Sequence, residues 1–195
     1  MTTERNPLLP YSGVMDAPAE LLRDFVNTYD VESDTDELAS PAELALWLRE
    51  RALITEADRA VDDDLAVAVG LREGLRAALR PGAEAAPALA RLESALAAFP
   101  LRVALPGGVP TPEPVGEGAA RGLGLVAAAV LRAHADGSWP RLKVCADATC
   151  QWAFLDSSKN RSRSWCSMRV CGNRTKTRAY RARRRQDSPS PAGSR

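Results

Sequence analysis

The feature that most constrains this chain is the placement of its four cysteines, all of which lie in the last third of the sequence. Two cysteine pairs separated by a short span are typical of a closed tetrahedral zinc site, in which each pair occupies a tight turn. Thiolates are soft ligands that suit zinc, and four of them leave no open coordination position. The spacing C-x4-C-x15-C-x4-C therefore predicts one structural Zn²⁺ ion rather than a catalytic one. The predicted ligands are Cys145, Cys150, Cys166 and Cys171.

The expected location of the chain bears on how these thiols are used. The N-terminal stretch MTTERNPLLPYSGVMD contains no apolar segment of the kind found in secretory signals, and no stretch of the sequence is apolar for long enough to cross a bilayer. We therefore expect a cytoplasmic protein without a membrane partner, in which thiols stay reduced. This favours metal ligation over disulfides, and buried structural thiols are the alternative.

The net charge of +1 conceals two regions of opposite sign. Residues 141–185 contain 13 Lys and Arg and 2 Asp, which gives +11, whereas the rest of the chain contains 13 basic and 23 acidic residues, which gives −10. A basic module on an acidic body commonly binds nucleic acid or another polyanion. The alternative is internal, with the basic module resting on its own acidic body. Four thiolates on one Zn²⁺ carry only a small negative charge, so they account for part of the surplus at most.

Helical periodicity places most of the apolar residues in the part of the chain that precedes the cysteines. Residues 1–17 are expected to form a loose leader, and residues 18–138 are predicted to form a mainly helical body with a small β element. One helix is expected to start at the N-cap Ser40, and another at Thr55. A short strand and turn are predicted at residues 101–105 and beyond. The full apolar stripes of the helices predict a body that folds on its own, without zinc.

Residues 139–185 are predicted to form a four-cysteine zinc finger that follows the body. RLKVC and QWAFLD have the pattern of two strands of a β-hairpin around the first cysteine pair, and a basic helix follows the last cysteine. The polar residues 186–195 contain no core-forming side chains and are expected to form a disordered tail.

The basic helix has two distinct faces in a helical projection. Arginines recur on one face at i, i+4, i+7 and i+11, whereas Thr175, Ala179 and Ala182 form a small face that is expected to pack on the hairpin. A helix with one packing face and one cationic face can lie along a phosphate backbone or enter a major groove. The alternative is a solvated, charge-rich terminal helix. The residues predicted to contact nucleic acid are Arg174, Lys176, Arg178, Arg181 and Arg185.

The cysteine segment resembles the CGNR zinc finger, through Cys-Gly-Asn-Arg at residues 171–174, F-x-D-S at residues 154–157 and R-x-W-C-S-M at residues 163–168. The resemblance implies that the four cysteines bind zinc and that the finger binds DNA. The body is similar to the ABATE domain that accompanies this finger, through DFVNTYD at residues 24–30 and AELALWLRE at residues 42–50. That similarity implies a stress-induced transcription regulator of bacteria.

These patterns predict a DNA-binding transcription regulator that is not an enzyme, with a body that senses a small-molecule effector or mediates assembly into an oligomer. Asn27 and Thr28 directly follow an apolar run and are candidate ligand contacts, with hydrogen bonding at a helix end as the alternative. His134, the only histidine, is expected to pack at the boundary of the core. Two other functions stay open: an RNA-binding or ribosome-associated zinc protein, and an enzyme whose site lies near Asn27 or His134.

Overall fold

The computed structural model describes residues 17–81 and 85–186, apart from the side chains of Ala85, Arg185 and Gln186. Apart from Ala17, the predicted leader lies outside the described residues, and so does the predicted tail apart from the backbone of Gln186. Within the described part of the chain, no helix combines the length and the apolar composition that crossing a membrane requires.

Helices dominate the body, and small antiparallel strand pairs connect them, as the sequence predicts. The helices are α1 (Pro18–Val26), α2 (Pro41–Glu50), α3 (Asp62–Ala78), α4 (Ala85–Leu96), α5 (Gly118–Ala135) and α6 (Asn173–Gln186). The strand pairs are β1 (Tyr29–Asp30) with β2 (Thr35–Asp36), β3 (Leu101–Ala104) with β4 (Thr111–Pro114), and β5 (Leu142–Val144) with β6 (Ala153–Leu155).

The start of α2 follows the predicted capping pattern. The Ser40 hydroxyl accepts a hydrogen bond from the Glu43 backbone N–H at 3.3 Å, and Pro41 occupies the first turn, where its missing N–H costs nothing. The predicted strand and turn at residues 101–105 are also present, since β3 pairs with β4 as a hairpin.

The predicted start of α3 at Thr55 is wrong, because the helix begins at Asp62. The Thr55 backbone N–H and hydroxyl both donate to the Asp58 carboxylate at 2.7 Å, which closes a separate turn. The Val61 N–H donates to the Asp64 carboxylate at 3.0 Å and so caps the helix proper. Local side-chain hydrogen bonds of this kind compete with helix formation, and here they delay it.

One hydrophobic core unites the body with the β5–β6 hairpin. Leu142, Val144 and Ala153 of this hairpin are buried in the same cluster as the apolar faces of α1, α2, α3 and α5. The Val144 N–H also donates to the Leu79 carbonyl oxygen at the end of α3, at 3.1 Å. The zinc finger therefore supplies part of the core of the body, and folding of the body without zinc stays a prediction.

Candidate zinc centre and adjoining basic surface

The four cysteine thiols converge where β5, β6 and the start of α6 meet. Their Sγ atoms lie within 4.8 Å of one another, with 3.6 Å between Cys150 and Cys166 and 3.7 Å between Cys166 and Cys171. Two sulfurs in a disulfide are about 2.05 Å apart, whereas four sulfurs bound at about 2.3 Å from one Zn²⁺ are about 3.8 Å apart. The four thiols are free, and their arrangement fits one tetrahedral zinc ion, which confirms the predicted cofactor.

Burial keeps two thiols of this cluster protonated unless a cation is bound. Cys145, Cys150 and Cys171 are at most 7% exposed, and Cys166 is partly exposed. Burial raises the pKa of the Cys150 thiol well above its ordinary value, and it raises the pKa of the Cys166 thiol to about 12. Thiolates therefore form here at neutral pH when a bound metal offsets their desolvation. Because four cysteines fill the coordination sphere of zinc, the ion is structural.

A tight turn built around Asp147, which we call the zinc turn (residues 147–151), holds the first cysteine pair. The Asp147 carbonyl oxygen accepts from the backbone N–H groups of Cys150 at 2.9 Å and Gln151 at 3.1 Å. Its carboxylate accepts from the Thr149 backbone N–H and hydroxyl at 3.2 and 3.0 Å. One aspartate thus fixes the turn through both its main chain and its side chain.

The loop that returns the chain to the second cysteine pair is organised by Asp156, which is fully buried. Its carboxylate accepts from Lys143 Nζ at 2.7 Å and from the backbone N–H groups of Ser158 and Arg163 at 2.9 Å. Although burial opposes ionisation, these partners lower the pKa of Asp156 far below its ordinary range. The aspartate of the F-x-D-S motif therefore positions the loop before Cys166.

The Cys-Gly-Asn-Arg motif leads from the zinc site into α6. A Cβ atom at Gly172 would lie 2.5 Å from the Met168 sulfur, so glycine lets that side chain pack over the turn. The Asn173 side chain donates to the Arg169 carbonyl oxygen at 3.0 Å, and Thr175 Oγ1 donates to the Cys171 carbonyl oxygen at 2.9 Å. These bonds fix the first turn of α6 relative to the last zinc ligand.

The first two arginines of the predicted cationic face lie against carboxylates of the protein. Arg174 Nε is 3.0 Å from Asp147 Oδ2, and the Arg174 Nη atoms donate to Glu32 at 2.9 and 3.2 Å. Arg178 Nη1 donates to Asp147 Oδ1 at 3.1 Å. Although burial opposes ionisation, Thr149 and these two arginines lower the pKa of Asp147. Because Glu32 belongs to the loop between β1 and β2, the basic module does rest in part on the acidic body.

The rest of α6 faces solvent. Ala179 and Ala182 are exposed, so the expected packing of the small face on the hairpin is wrong. Instead, Arg174 and Arg178 pair with the Asp147 carboxylate of the zinc turn, because a buried carboxylate requires cationic partners. The side chain of Arg185 lies outside the described residues. Lys176 is exposed. The described charged side chains beyond Arg178 are also exposed, namely Arg181, Arg183 and Arg184.

Asn27 and Thr28 both form hydrogen bonds inside the protein. Asn27 Nδ2 donates to the Ala153 carbonyl oxygen at 2.9 Å, and Asn27 Oδ1 accepts from the Ala153 N–H at 2.7 Å, so its amide pairs with β6 as a neighbouring strand would. Thr28, which is buried, donates to the Phe25 carbonyl oxygen at 2.8 Å and accepts from Arg72 at 3.3 Å. The alternative of helix-end hydrogen bonding is observed, and ligand binding by these residues stays a prediction.

We expect Asn27→Ala to lower the free energy of unfolding by about 1–3 kcal/mol, because it leaves the buried N–H and C=O of Ala153 without partners. Asn27→Asp keeps the acceptor but places a carboxylate oxygen against the Ala153 carbonyl oxygen, so its effect at neutral pH should be at least as large. Urea unfolding of the zinc-loaded protein measures both values, with the exposed Glu37→Ala as control. An unchanged urea midpoint for Asn27→Ala would show that the amide pairing contributes nothing.

Two buried arginines of α3, which sequence reasoning missed, bind the segment that follows α1, and one of them also reaches the zinc turn. Arg76 donates to the carbonyl oxygens of Gln151 at 2.9 Å, Val26 at 2.7 Å and Tyr29 at 2.9 Å. Arg72 forms a bidentate pair with Asp36, at 2.6 and 2.9 Å. Their i, i+4 spacing beside the apolar stripe of α3 was the available sequence signal.

The surroundings of Asn27 and His134 bear on the alternative of an enzyme. His134 Nδ1 lies 2.8 Å from the Val130 carbonyl oxygen, and its ring stacks on Trp139 with centroids 4.5 Å apart. His134 is exposed, so this stacking is a surface contact rather than the packing at the core boundary that the sequence predicted. A cleft of about 590 Å³ beside Asn27 is lined by residues of both the body and the zinc finger, including Arg51.

Comparison with known protein families agrees with this geometry. Residues 141–184 match the family model described as "CGNR zinc finger", and residues 19–137 match the ABATE model, described as "Putative stress-induced transcription regulator". The predicted resemblance to both, in this order along the chain, is confirmed. Neither description is that of an enzyme. No curated protein matches the chain.

Proposed function

The chain belongs to the ABATE family and carries a CGNR zinc finger, and we propose that it regulates transcription by binding duplex DNA through the exposed side of α6. The observation that carries this proposal is a helix with exposed cations, such as Lys176 and Arg181, whose first turn is fixed by the zinc site. A helix held in this way presents its charges without a large ordering cost on binding.

The charge balance supports an external polyanion as the partner of this helix. Ion pairs with Asp147 and Glu32 occupy Arg174 and Arg178. Residues 141–185 carry a surplus of eleven positive charges, which already includes Asp147. Pairing with Glu32 removes one charge from that surplus, and four thiolates on one Zn²⁺ remove two more, so most of it remains for phosphates of a nucleic acid.

The contacts between body and finger suggest how the body would act on DNA binding. Groups of the body that bind the finger directly include the Asn27 side chain, the Arg76 guanidinium, the Glu32 carboxylate and the Leu79 carbonyl oxygen. A ligand or a second subunit that shifts α1, α3 or the loop between β1 and β2 would move the zinc turn and the start of α6. We assign a sensing or assembly role to the body on this basis.

Lys176→Ala combined with Arg181→Ala is expected to weaken binding to every duplex sequence similarly. Each lost phosphate contact reduces the magnitude of the negative slope of log K against log salt by about 0.9. The slope of the double variant should therefore be shallower by about 1.8. Fluorescence anisotropy of a labelled duplex over a salt series measures this slope. Arg59→Ala with Arg102→Ala is the matched control, because it removes two exposed cations from the body.

Equal slopes for the α6 variant and the control would contradict phosphate binding by α6. A structured RNA of equal length, measured at the same salt concentrations, tests the alternative partner. If the wild-type protein binds that RNA more tightly than duplex DNA, the finger is an RNA-binding module and the DNA proposal is wrong.

A further inference from the structure

Besides the exposed cations of α6, a concave surface that contains several arginines lies next to the zinc turn, between α3 and α4. It encloses a volume of about 330 Å³, and Gln151 of the zinc turn forms one wall. Its charged lining residues are Glu73, Arg76, Arg80 and Arg91. We call it the α3–α4 pocket.

Arg80 and Arg91 supply the available charge of this pocket. The Glu73 carboxylate is already shared by Arg72 Nε at 3.0 Å and Arg76 Nε at 3.2 Å. Arg76 directs its Nη atoms to main-chain carbonyl oxygens. Arg80 and Arg91 are exposed, and neither forms an ion pair with another residue in the ranges 17–81 and 85–186. Two cations are therefore available to an anionic ligand, on a body whose overall charge is negative.

Arg91 stands on α4, and Arg80 follows the end of α3. The backbones of α3 and α4 approach closely, since a Cβ atom at Gly74 would lie 3.2 Å from the Leu92 Cα, next to Arg91. Arg80 follows Leu79, whose carbonyl oxygen accepts a hydrogen bond from β5. Arg91 thus stands on a helix that packs against α3, and Arg80 stands two residues after the end of α3, next to a main-chain hydrogen bond to the zinc finger.

The zinc turn connects this pocket with α6. The Asp147 carboxylate binds Arg178 of α6, whereas the Gln151 carbonyl oxygen binds Arg76 at the pocket. The Gln151 N–H donates to the Asp147 carbonyl oxygen at 3.1 Å, so one tight turn separates the two cationic surfaces.

We propose that Arg80 and Arg91 in the α3–α4 pocket each bind one backbone phosphate of the same DNA that α6 contacts, an inference that rests on the proposed function. Guanidinium groups are suited to phosphate because their planar N–H donors match its oxygens in pairs. The body then contributes directly to DNA affinity, and the duplex spans the zinc turn. The contact is independent of base identity, because phosphates carry no sequence information.

The test is the salt dependence of duplex binding by full-length, zinc-loaded Arg80→Ala/Arg91→Ala protein. We expect the slope of log K against log salt to become shallower by about 1.8, whereas Arg59→Ala/Arg102→Ala, with the same net charge, keeps the wild-type slope. Arg80→Lys/Arg91→Lys should keep most of the slope, because the charges remain. Urea midpoints equal to that of the wild type show that the changes act on binding rather than on folding.

Three outcomes separate this inference from the proposed function. If the wild-type protein binds no duplex at low salt, the proposed function fails and the inference fails with it. If Lys176→Ala/Arg181→Ala makes the slope shallower and Arg80→Ala/Arg91→Ala does not, the proposed function stands and the pocket is not a DNA contact. If inorganic phosphate shifts the NMR signals of the Arg80 and Arg91 side chains while their removal leaves the DNA slope unchanged, the pocket binds free phosphate, which also overturns the inference.

Discussion

Replacement of Cys166 with serine is expected to abolish zinc binding and to destabilise the whole protein rather than the zinc finger alone. Cys166 is the partly exposed member of the cluster, so the loss of one sulfur perturbs packing little and the effect reports on the metal. In zinc-finger peptides, a structural zinc ion contributes about 10–16 kcal/mol of apparent binding free energy. Since a typical domain is stable by about 5–15 kcal/mol, loss of zinc removes a decisive contribution.

The destabilisation should extend to the body because the two parts share one core. Zinc holds the ends of the β5–β6 hairpin, and Val144 and Ala153 of this hairpin are fully buried against the body. Elemental analysis should find one zinc per wild-type chain and none in Cys166→Ser. Circular dichroism with chelator should show a lower melting temperature for the helical signal, and the exposed Ser162→Ala should behave as wild type. A metal-free protein with wild-type thermal unfolding would exclude a structural role for zinc.

A chain that ends at Gly137 is expected to lose most of its cooperative folding. The truncation removes Leu142 and Val144 from the core, and burial of each such side chain contributes about 1.5–3 kcal/mol. It also removes the Gln151 carbonyl oxygen that Arg76 binds, and a hydrogen bond to a charged group contributes about 1.5–3 kcal/mol.

A chain that ends at Arg178 is the matched control for this truncation. It keeps the four cysteines, the hairpin and the ion pairs of Arg174 and Arg178, and it lacks most of the exposed cationic part of α6. It should unfold cooperatively near the wild-type urea midpoint. If the chain ending at Gly137 also did so, the core of the body would be complete without the zinc finger.

The zinc site could be predicted from the sequence because metal geometry restricts the spacing of its ligands. Two equally spaced cysteine pairs leave few arrangements other than one tetrahedral cluster, and the observed sulfur separations match it. The helices of the body could be predicted for a similar reason, since an apolar stripe with a period near 3.6 residues fits one local geometry. The false start at Thr55 shows the limit of that rule, because an aspartate three residues later closed a competing turn.

The partners of the arginines could not be predicted in the same way. Glu32 is 142 positions from Arg174, and Asn27 is 126 positions from Ala153. Only the tertiary fold brings such groups together, and a helical projection cannot tell which face of α6 packs. The projection predicted that the face of small residues packs on the hairpin. In the structure, Arg174 and Arg178 face the zinc turn instead, because they pair with the buried Asp147 carboxylate. Buried charges placed far apart in sequence therefore decided the orientation of this helix.

The measurement that tests DNA binding most directly is a salt titration of labelled duplex with the zinc-loaded wild-type protein. If Lys176, Arg181, Arg80 and Arg91 each contact one phosphate, log K should fall linearly with log salt at a slope of about −3.6. Cys166→Ser should bind far more weakly, because the helix loses its fixed first turn. Absence of binding at low salt, or a slope near zero, would contradict duplex DNA as the partner of this protein.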